Sequence, residues 1–243
     1  MQVKQKTVLV TGANRGIGAA IVRELLKHDV TKIYAGTRKV SALPDFKDKR
    51  VVPVELDITN SAQVKEAATK AKNVQILINN AGVATFGSIL DPKANEHDMK
   101  VNYFGTLSVI QAFVPVLVKN GGGLIANVSS VVGLANMSMA AGYSASKAAL
   151  FSATQAARVE LAGKSIKVVG IFPGPIDTEM AKDFPIDKTS PEVTAENIVK
   201  GIVAGHEDIF PDPMSQQVSQ LWLHDYKALE KQFASMASAS EAA

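Results

Sequence analysis

The chain has 243 residues, 47% of them hydrophobic and 20% charged, with a formal net charge of +3. Its Lys and Arg are scattered among Asp and Glu rather than gathered into a stripe, which argues against nucleic-acid binding. The absence of cysteine excludes disulfides, thiol catalysis and thiolate metal sites, and fits a reducing, cytoplasmic setting. The start carries no leader pattern, and the apolar runs fall short of a membrane span, so no membrane association is expected.

Short β-branched runs alternate with helical patterns along the chain. "TVLV" (7–10) precedes "GIGAAIVRELLKH", and "KIYAG" (32–36) precedes a short loop. "VVPVEL" (51–56) precedes "SAQVKEAATKAK", and "VQILIN" (74–79) precedes the long "ANEHDMKVNYFGTLSVIQAFVPVLVK". "GGLIANVS" (122–129) leads to the helix "MAAGYSASKAALFSATQAARVEL", and "IKVVGIF" (166–172) leads through a loop to "TAENIVKGIVAG". Continuously apolar strands separated by helices predict an α/β fold, a doubly wound parallel sheet with helices on both faces. One domain over residues 1–234 is expected, followed by a small, polar, frayed tail at 235–243.

The first strand runs into "TGANRGIG", where Gly12, Gly16 and Gly18 stand between strand and helix. Glycines there let the backbone turn tightly and approach a diphosphate, whose charge meets the positive end of the helix. A tight turn of no further function explains the same spacing. About 20 residues on, an NAD site usually places a carboxylate for the ribose 2′-hydroxyl. This chain instead has Thr37 and Arg38, with Arg15 in the glycine turn. A hydroxyl and planar cations suit a 2′-phosphate, so NADP(H) is favoured over NAD(H), unless Arg38 is simply a solvated surface residue.

Tyr143 and Lys147 lie four apart on a helix of small residues, and so share a face. A nearby ammonium stabilises a phenolate, and the pair reads as an acid/base tuned downward from the ordinary phenol value. An exposed helix pair of slight stabilising value is the plain alternative.

Taken together, "TGANRGIG", "NNAG" (79–82), Asn102 in "VNYFG", "NVSS" (127–130), "YSASK" (143–147) and "PGPIDT" (173–178) resemble the short-chain dehydrogenase/reductase family, in its compact single-domain branch. The resemblance covers about residues 5–180 and implies a Rossmann-type fold. It implies that Gly12, Asn14, Arg15, Gly16, Ile17 and Gly18 border the diphosphate, and that Asp57 and the backbone of Ile58 meet the adenine. Asn79, Ala81 and Gly82 would face the adenosine ribose, and Pro173, Gly174, Ile176 and Thr178 the nicotinamide. Tyr143 would act as proton donor, and Lys147 would also bind the nicotinamide ribose. Ser130, rather than its rival Ser129, would bond the substrate oxygen, and Asn102 would hold a water linking Lys147 to solvent. From the residues alone, Asp57 could equally be a helix cap, and Asn102 an exposed or back-bonding helical residue.

The chain departs from the family between the second and third strands, where "RKVSALPDFKDKR" has room for only a turn of helix. It departs again at the end, where a short strand, two prolines and one amphipathic helix are expected. A homodimer or homotetramer is expected, although that ending leaves its form open. The apolar stripe with Leu221, Trp222 and Phe233 could pack internally, meet a partner or flank the pocket. Val83, Phe86, Val131, Leu134, Met137, Met139, Pro173, Met180 and Phe184 are the candidate pocket wall, under a loop at 179–193 expected to close over it. The wall is apolar and lacks a clamping cation, so a neutral, hydrophobic aldehyde, ketone or alcohol is expected. His28, His97, His206 and His224 are scattered, and no metal site or Ser–His hydrolase is expected. Two functions fit: an NADPH-dependent carbonyl reductase or alcohol dehydrogenase, and an NADP(H)-binding sensor on the same fold. Dehalogenation with the same residues has no use for a nicotinamide site.

Overall fold

The computed structural model describes residues 3–241, and side chains as far as residue 236. Its strands are β1 (Thr7–Thr11), β2 (Lys32–Thr37), β3 (Val51–Glu55), β4 (Ile76–Asn79), β5 (Gly123–Val128), β6 (Ile166–Ile171) and β7 (Asp208–Ile209). All pair in parallel, in the order β3-β2-β1-β4-β5-β6-β7. The helices are α1 (Gly16–Leu26), α2 (Ser61–Lys70), α3 (Pro92–Asp98), α4 (Thr106–Lys119), α5 (Ala141–Ala162), α6 (Pro191–Ala204), α7 (Pro213–His224) and α8 (Tyr226–Glu241).

Strand side chains alternate between faces, so each strand feeds two apolar layers. Val8, Val10, Ile33, Ile76 and Ile78 pack with Ile21 and Leu25 of α1 and Ile198 and Val199 of α6. Leu9, Leu77 and Ile125 pack on the other face with Val64 of α2 and Val109, Phe113 and Leu117 of α4. The strand order reverses between β1 and β4, and that reversal opens a crevice at the carboxyl ends of the strands.

Between β2 and β3 there is only a single 3-10 turn, Val40–Ala42, as the short segment predicts. The frayed tail expected from residue 235 falls on the last turns of α8 and on residues outside those described.

The long helical pattern after β4 forms as expected, but two expectations need correction: that the apolar segments fall short of a membrane span, and that one amphipathic helix ends the chain. Helices α3 and α4 join through a π-helical stretch, Met99–Gly105, into one continuous helix from Pro92 to Lys119. Its 28 residues, with a mean hydropathy of 1.6 over its most apolar window, match a membrane span by length and composition. Here the helix lies along the sheet and buries Val109, Phe113 and Leu117 in the core. At the other end of the chain, the single amphipathic helix is two. Asp225 leaves the helical conformation (φ −154°, ψ 77°) and ends α7, and its side chain accepts from the Ala228 N–H at 2.9 Å to start α8. The hairpin folds back on its own domain: Val218, Leu229 and Phe233 pack with Val131 and Val132, flanked by Leu134, Met137, Tyr143, Leu221 and Trp222. The stripe thus packs internally and also backs the Tyr143 ring.

Candidate active site

The crevice is built from the ends of β1, β4, β5 and β6. After β1 the backbone turns through Gly12 and Gly16, with φ of +67° and +53°, a left-handed region where a side chain is strained. A Cβ on Gly18 would lie 2.2 Å from the Gly12 carbonyl oxygen, so the turn and α1 are pressed together. Arg15 precedes α1 in an extended conformation, and its side chain does not cap the helix, leaving the first-turn amides directed at the crevice. Asn14 and Ile17 are half-buried and Arg15 is exposed. Bare, outward-facing amides within a turn that excludes side chains fit a dinucleotide diphosphate.

At the far end of the crevice, Arg38 is exposed and lies near the Asp57 carboxylate. Burial raises the Asp57 pKa, but hydrogen bonds from Thr59 and the charges of Arg38 and Lys100 outweigh it, leaving the group below its usual range. Asp57 is not a helix cap: Asn60 caps α2, and Asp57 accepts instead from the Thr59 N–H and hydroxyl. Ile58 is buried, with its side chain against Gly105. Thr37 was expected to offer its hydroxyl to a phosphate. As the last residue of β2 it points inward, is buried, and donates to the Lys39 carbonyl at 3.3 Å.

The asparagines after β4 divide their work. Asn79 donates to Asn127 Oδ1 inside the sheet, and its own Oδ1 is buried without a partner. Asn80 faces the glycine turn, donating to the carbonyls of Thr11 and Gly12, while Thr11 Oγ1 accepts from the N–H groups of Asn80 and Ala81. Gly82 lies over the polar centre: a Cβ there would sit 2.9 Å from Asn102 Oδ1 and 3.5 Å from Lys147 Nζ.

Asn102 occupies the π-helical stretch, a kind of irregularity often found at functional sites. Fully buried, it accepts from Val83 N–H at 2.9 Å and donates to the Val83 carbonyl at 2.8 Å and to Ser146 Oγ at 2.9 Å. The amide clamps the Gly82–Val83 backbone and has one Oδ1 lone pair left over.

Tyr143 and Lys147 stand one turn apart on α5, and the small residues between them let α3 and the crevice approach. The ammonium lies 5.6 Å from the centre of the Tyr143 ring and donates to the Val128 carbonyl at 2.8 Å. The expected lowering of the phenol nevertheless does not occur. Burial pushes Tyr143 up to about 12, with a hydrogen bond from Ser130 opposing and the Asp98 charge adding. Burial pushes Lys147 down to about 8, opposed by Asp98. Ser129, the rival to Ser130, donates to the Lys147 backbone carbonyl at 2.9 Å, which leaves Ser130 beside the phenol.

Pro173 accepts weakly from Ser130 at 3.3 Å, and Gly174 N–H donates to Asp212 Oδ2 at 2.8 Å. Ile176 is buried and bridges to Thr189, and Thr178 meets Gly16, so the loop from 179 is anchored at both ends before α6 begins at Pro191. Phe184 of that loop packs edge-on against Phe86 at 5.1 Å. Leu134 and Met137 are half-buried in the cluster that holds Tyr143, Val83 is half-buried against Asn102, and Met180 is exposed.

The short chain dehydrogenase sequence profile matches residues 6–189. The chain belongs to the short-chain dehydrogenase/reductase family. It is 32% identical over 211 residues to an uncharacterised oxidoreductase of Staphylococcus epidermidis, covering 83% of this chain and 91% of that protein. It is 33% identical over 196 residues to a 3-oxoacyl-[acyl-carrier-protein] reductase of Thermotoga maritima, covering 76% and 80%. Among solved structures, a short chain dehydrogenase from Burkholderia cenocepacia, in complex with NADP, superposes with a TM-score of 0.91 at 41% identity, over 96% of this chain and 99% of that one. The seven-stranded parallel sheet is that of the short-chain dehydrogenase/reductase fold.

Four residues beyond those expected belong to this short-chain dehydrogenase site: Asn80, Asp98, Ser146 and Asp212. Asp212 was legible as a cap, an Asp followed by Pro with Ser three positions on, but its grip on Gly174 was not. Asp98 precedes Asn102 by one helical turn, and that spacing is the signal that could have found it.

Proposed function

We propose that the protein reduces neutral, hydrophobic aldehydes or ketones with NADPH. The observation that carries this reading is the convergence of Ser130, Tyr143, Lys147 and Asn102 at the end of the crevice that opens from the glycine turn. Support for NADP(H) comes from Arg38 and Arg15, both exposed at the crevice without a carboxylate at the end of β2, and from the NADP-bound relative. These arginines would hold a 2′-phosphate, since the Thr37 hydroxyl is engaged locally.

When bound, NADPH supplies a hydride to the carbonyl carbon. Tyr143 donates its proton to the carbonyl oxygen, and the raised phenol suits that direction because it stays protonated at neutral pH. Ser130 orients the oxygen beside Tyr143, and Asn102 holds the Gly82–Val83 backbone that faces the reacting atoms. Lys147 supplies positive charge near the oxygen that becomes negative. A sensor on the same fold gains no support from this arrangement, because sensing needs no assembled proton donor.

The reaction has a pH limit set by Lys147. Its folded pKa lies below the ordinary 10.5, at about 8. Its charge is therefore present below pH 8 and lost as pH rises through that value, and kcat/KM for reduction falls on the alkaline side. Stability linked to this group runs the other way: between pH 8 and 10.5 the unfolded chain holds the proton more tightly, so folding gains as pH rises. A pH profile flat to pH 10 contradicts the role given to Lys147.

The wall of Val83, Phe86, Leu134, Met137 and Phe184 presents no cation to a carboxylate. Neutral apolar carbonyls should exceed keto acids of equal size by at least about tenfold in kcat/KM, since an unpaired carboxylate must be desolvated there. Keto acids turned over better than neutral ketones overturn the proposed substrate class. A homodimer or homotetramer remains part of the proposal, supported by the exposed Phe104 of the π-helical stretch, Val118 of α4 and Val159 of α5.

A further inference from the structure

Asp98 takes no part in the chemistry above, yet it is a carboxylate with no exposed surface. Asn95, Asp98 and Asn102 follow one another at spacings of three and four, so they form a single stripe on α3 and the π-helical stretch. That stripe packs on the opening turns of α5. A Cβ on Gly142 would lie 2.7 Å from the Asn95 Cα, and Asn102 bonds Ser146. Asp98 falls between these two contacts, opposite the turn of α5 that carries Tyr143 and Lys147. It is held in place, because both of its carboxylate oxygens accept from the Thr85 N–H, at 3.0 and 3.2 Å.

Lys147 needs a counter-charge. Its one direct partner, the Val128 carbonyl, is neutral, and an ammonium in a dry interior is costly unless opposite charge is near. The groups facing this centre are Asp98 from α3, Thr85 from the loop, Ser130 from the end of β5, and Tyr143 from α5 itself, with His97 exposed to solvent next to Asp98. Asp98 is the acid among them. It acts through space, without an ion-pair contact to Lys147, as a fixed negative charge.

We propose that Asp98 is the counter-charge of the Lys147 ammonium: a positioning residue that keeps the catalytic lysine charged inside the protein while clamping the loop beside the substrate at Thr85. Asn102 and Asp98 then divide one task between successive helical turns, holding residues 83 and 85 of the same extended strand of loop. Burial leaves the Asp98 carboxyl above its usual range, with hydrogen bonds from Thr85 and the charges of His97 and Lys147 only partly opposing.

Asp98→Asn separates the two functions, since the amide oxygen still accepts from Thr85 and only the charge is removed. The Lys147 ammonium is followed by NMR in protein labelled with 13C at lysine Cε, its signal assigned by its loss in Lys147→Met. In the wild type it titrates near pH 8, and in Asp98→Asn it should titrate about one pH unit lower or more. The alkaline limb of NADPH-dependent reduction should move down with it, about fivefold in rate at pH 8 and approaching tenfold by about pH 9, with little change at about pH 6. A Lys147 titration unmoved by Asp98→Asn overturns the proposal and leaves Asp98 as a loop clamp only. If Asp98→Asn does not fold, the reciprocal experiment decides: in Lys147→Met the Asp98 carboxyl, followed at 13Cγ, should titrate at higher pH than in the wild type, and an unchanged value overturns the proposal. The effect on turnover rests on the reductase reading, whereas the two titrations do not, so an inactive protein with coupled titrations defeats that reading and leaves this one standing.

Discussion

Tyr143→Phe lowers carbonyl reduction by ~10²–10⁴-fold and leaves NADPH binding and the melting temperature near those of the wild type. The reason lies in how the side chain is held. The ring is half-buried against the cluster formed by Val131, Val132 and the α7–α8 hairpin, and phenylalanine keeps all of that packing. Only the hydroxyl is lost. Ser130, its neighbour, retains the Pro173 carbonyl as a partner, so no buried donor is stranded. The proton for the substrate oxygen then has no source within reach, because Lys147 is turned to the Val128 carbonyl. Steady-state kinetics with a direct NADPH-binding measurement checks the split. Near-normal turnover in the mutant removes Tyr143 from the reaction.

Gly18→Ala damages the cofactor end by a different route. The added methyl would meet the Gly12 carbonyl oxygen at 2.2 Å and the Asn80 amide nitrogen at 2.5 Å. One obstacle is backbone and the other is hydrogen-bonded to that same backbone, so neither yields cheaply. Overpacking of this kind costs ~1–3 kcal/mol and displaces the turn. The KM for NADPH is expected to rise about tenfold or more, with a lower melting temperature. Gly163→Ala is the matched control. It stands after α5 at φ −65° with nothing within 4 Å of the added methyl, and it should leave NADPH binding unchanged. Equal behaviour of the two variants contradicts the close-packed turn.

Much of this molecule was legible because its signals are local. The apolar runs 7–10, 32–36 and 166–172 became strands within a residue of their expected ends, since a strand buried on both faces needs continuous apolar character. The Tyr143–Lys147 pair follows from helix geometry alone. What stayed hidden depends on distant packing. No local pattern tells that Thr37 turns inward while Arg38 stays out, or that the Lys147 ammonium reaches Val128 rather than the phenol oxygen. The phenol was expected to fall and instead rises, because burial by the whole site outweighs one neighbouring charge. The break at Asp225 was hidden too: "LHDYKA" continues the apolar stripe, and only the return of Leu229 and Phe233 onto Val131 and Val132 shows why two helices are needed.

The most direct test of the account is the loss of reduced-nicotinamide absorbance when the protein is mixed with neutral aldehydes and ketones, with NADPH and NADH run in parallel. Consumption of NADPH well above that of NADH, with the matching alcohol formed in equal amount, is the predicted result. Tight binding of NADPH with no consumption by any neutral carbonyl, or turnover that prefers NADH, contradicts it.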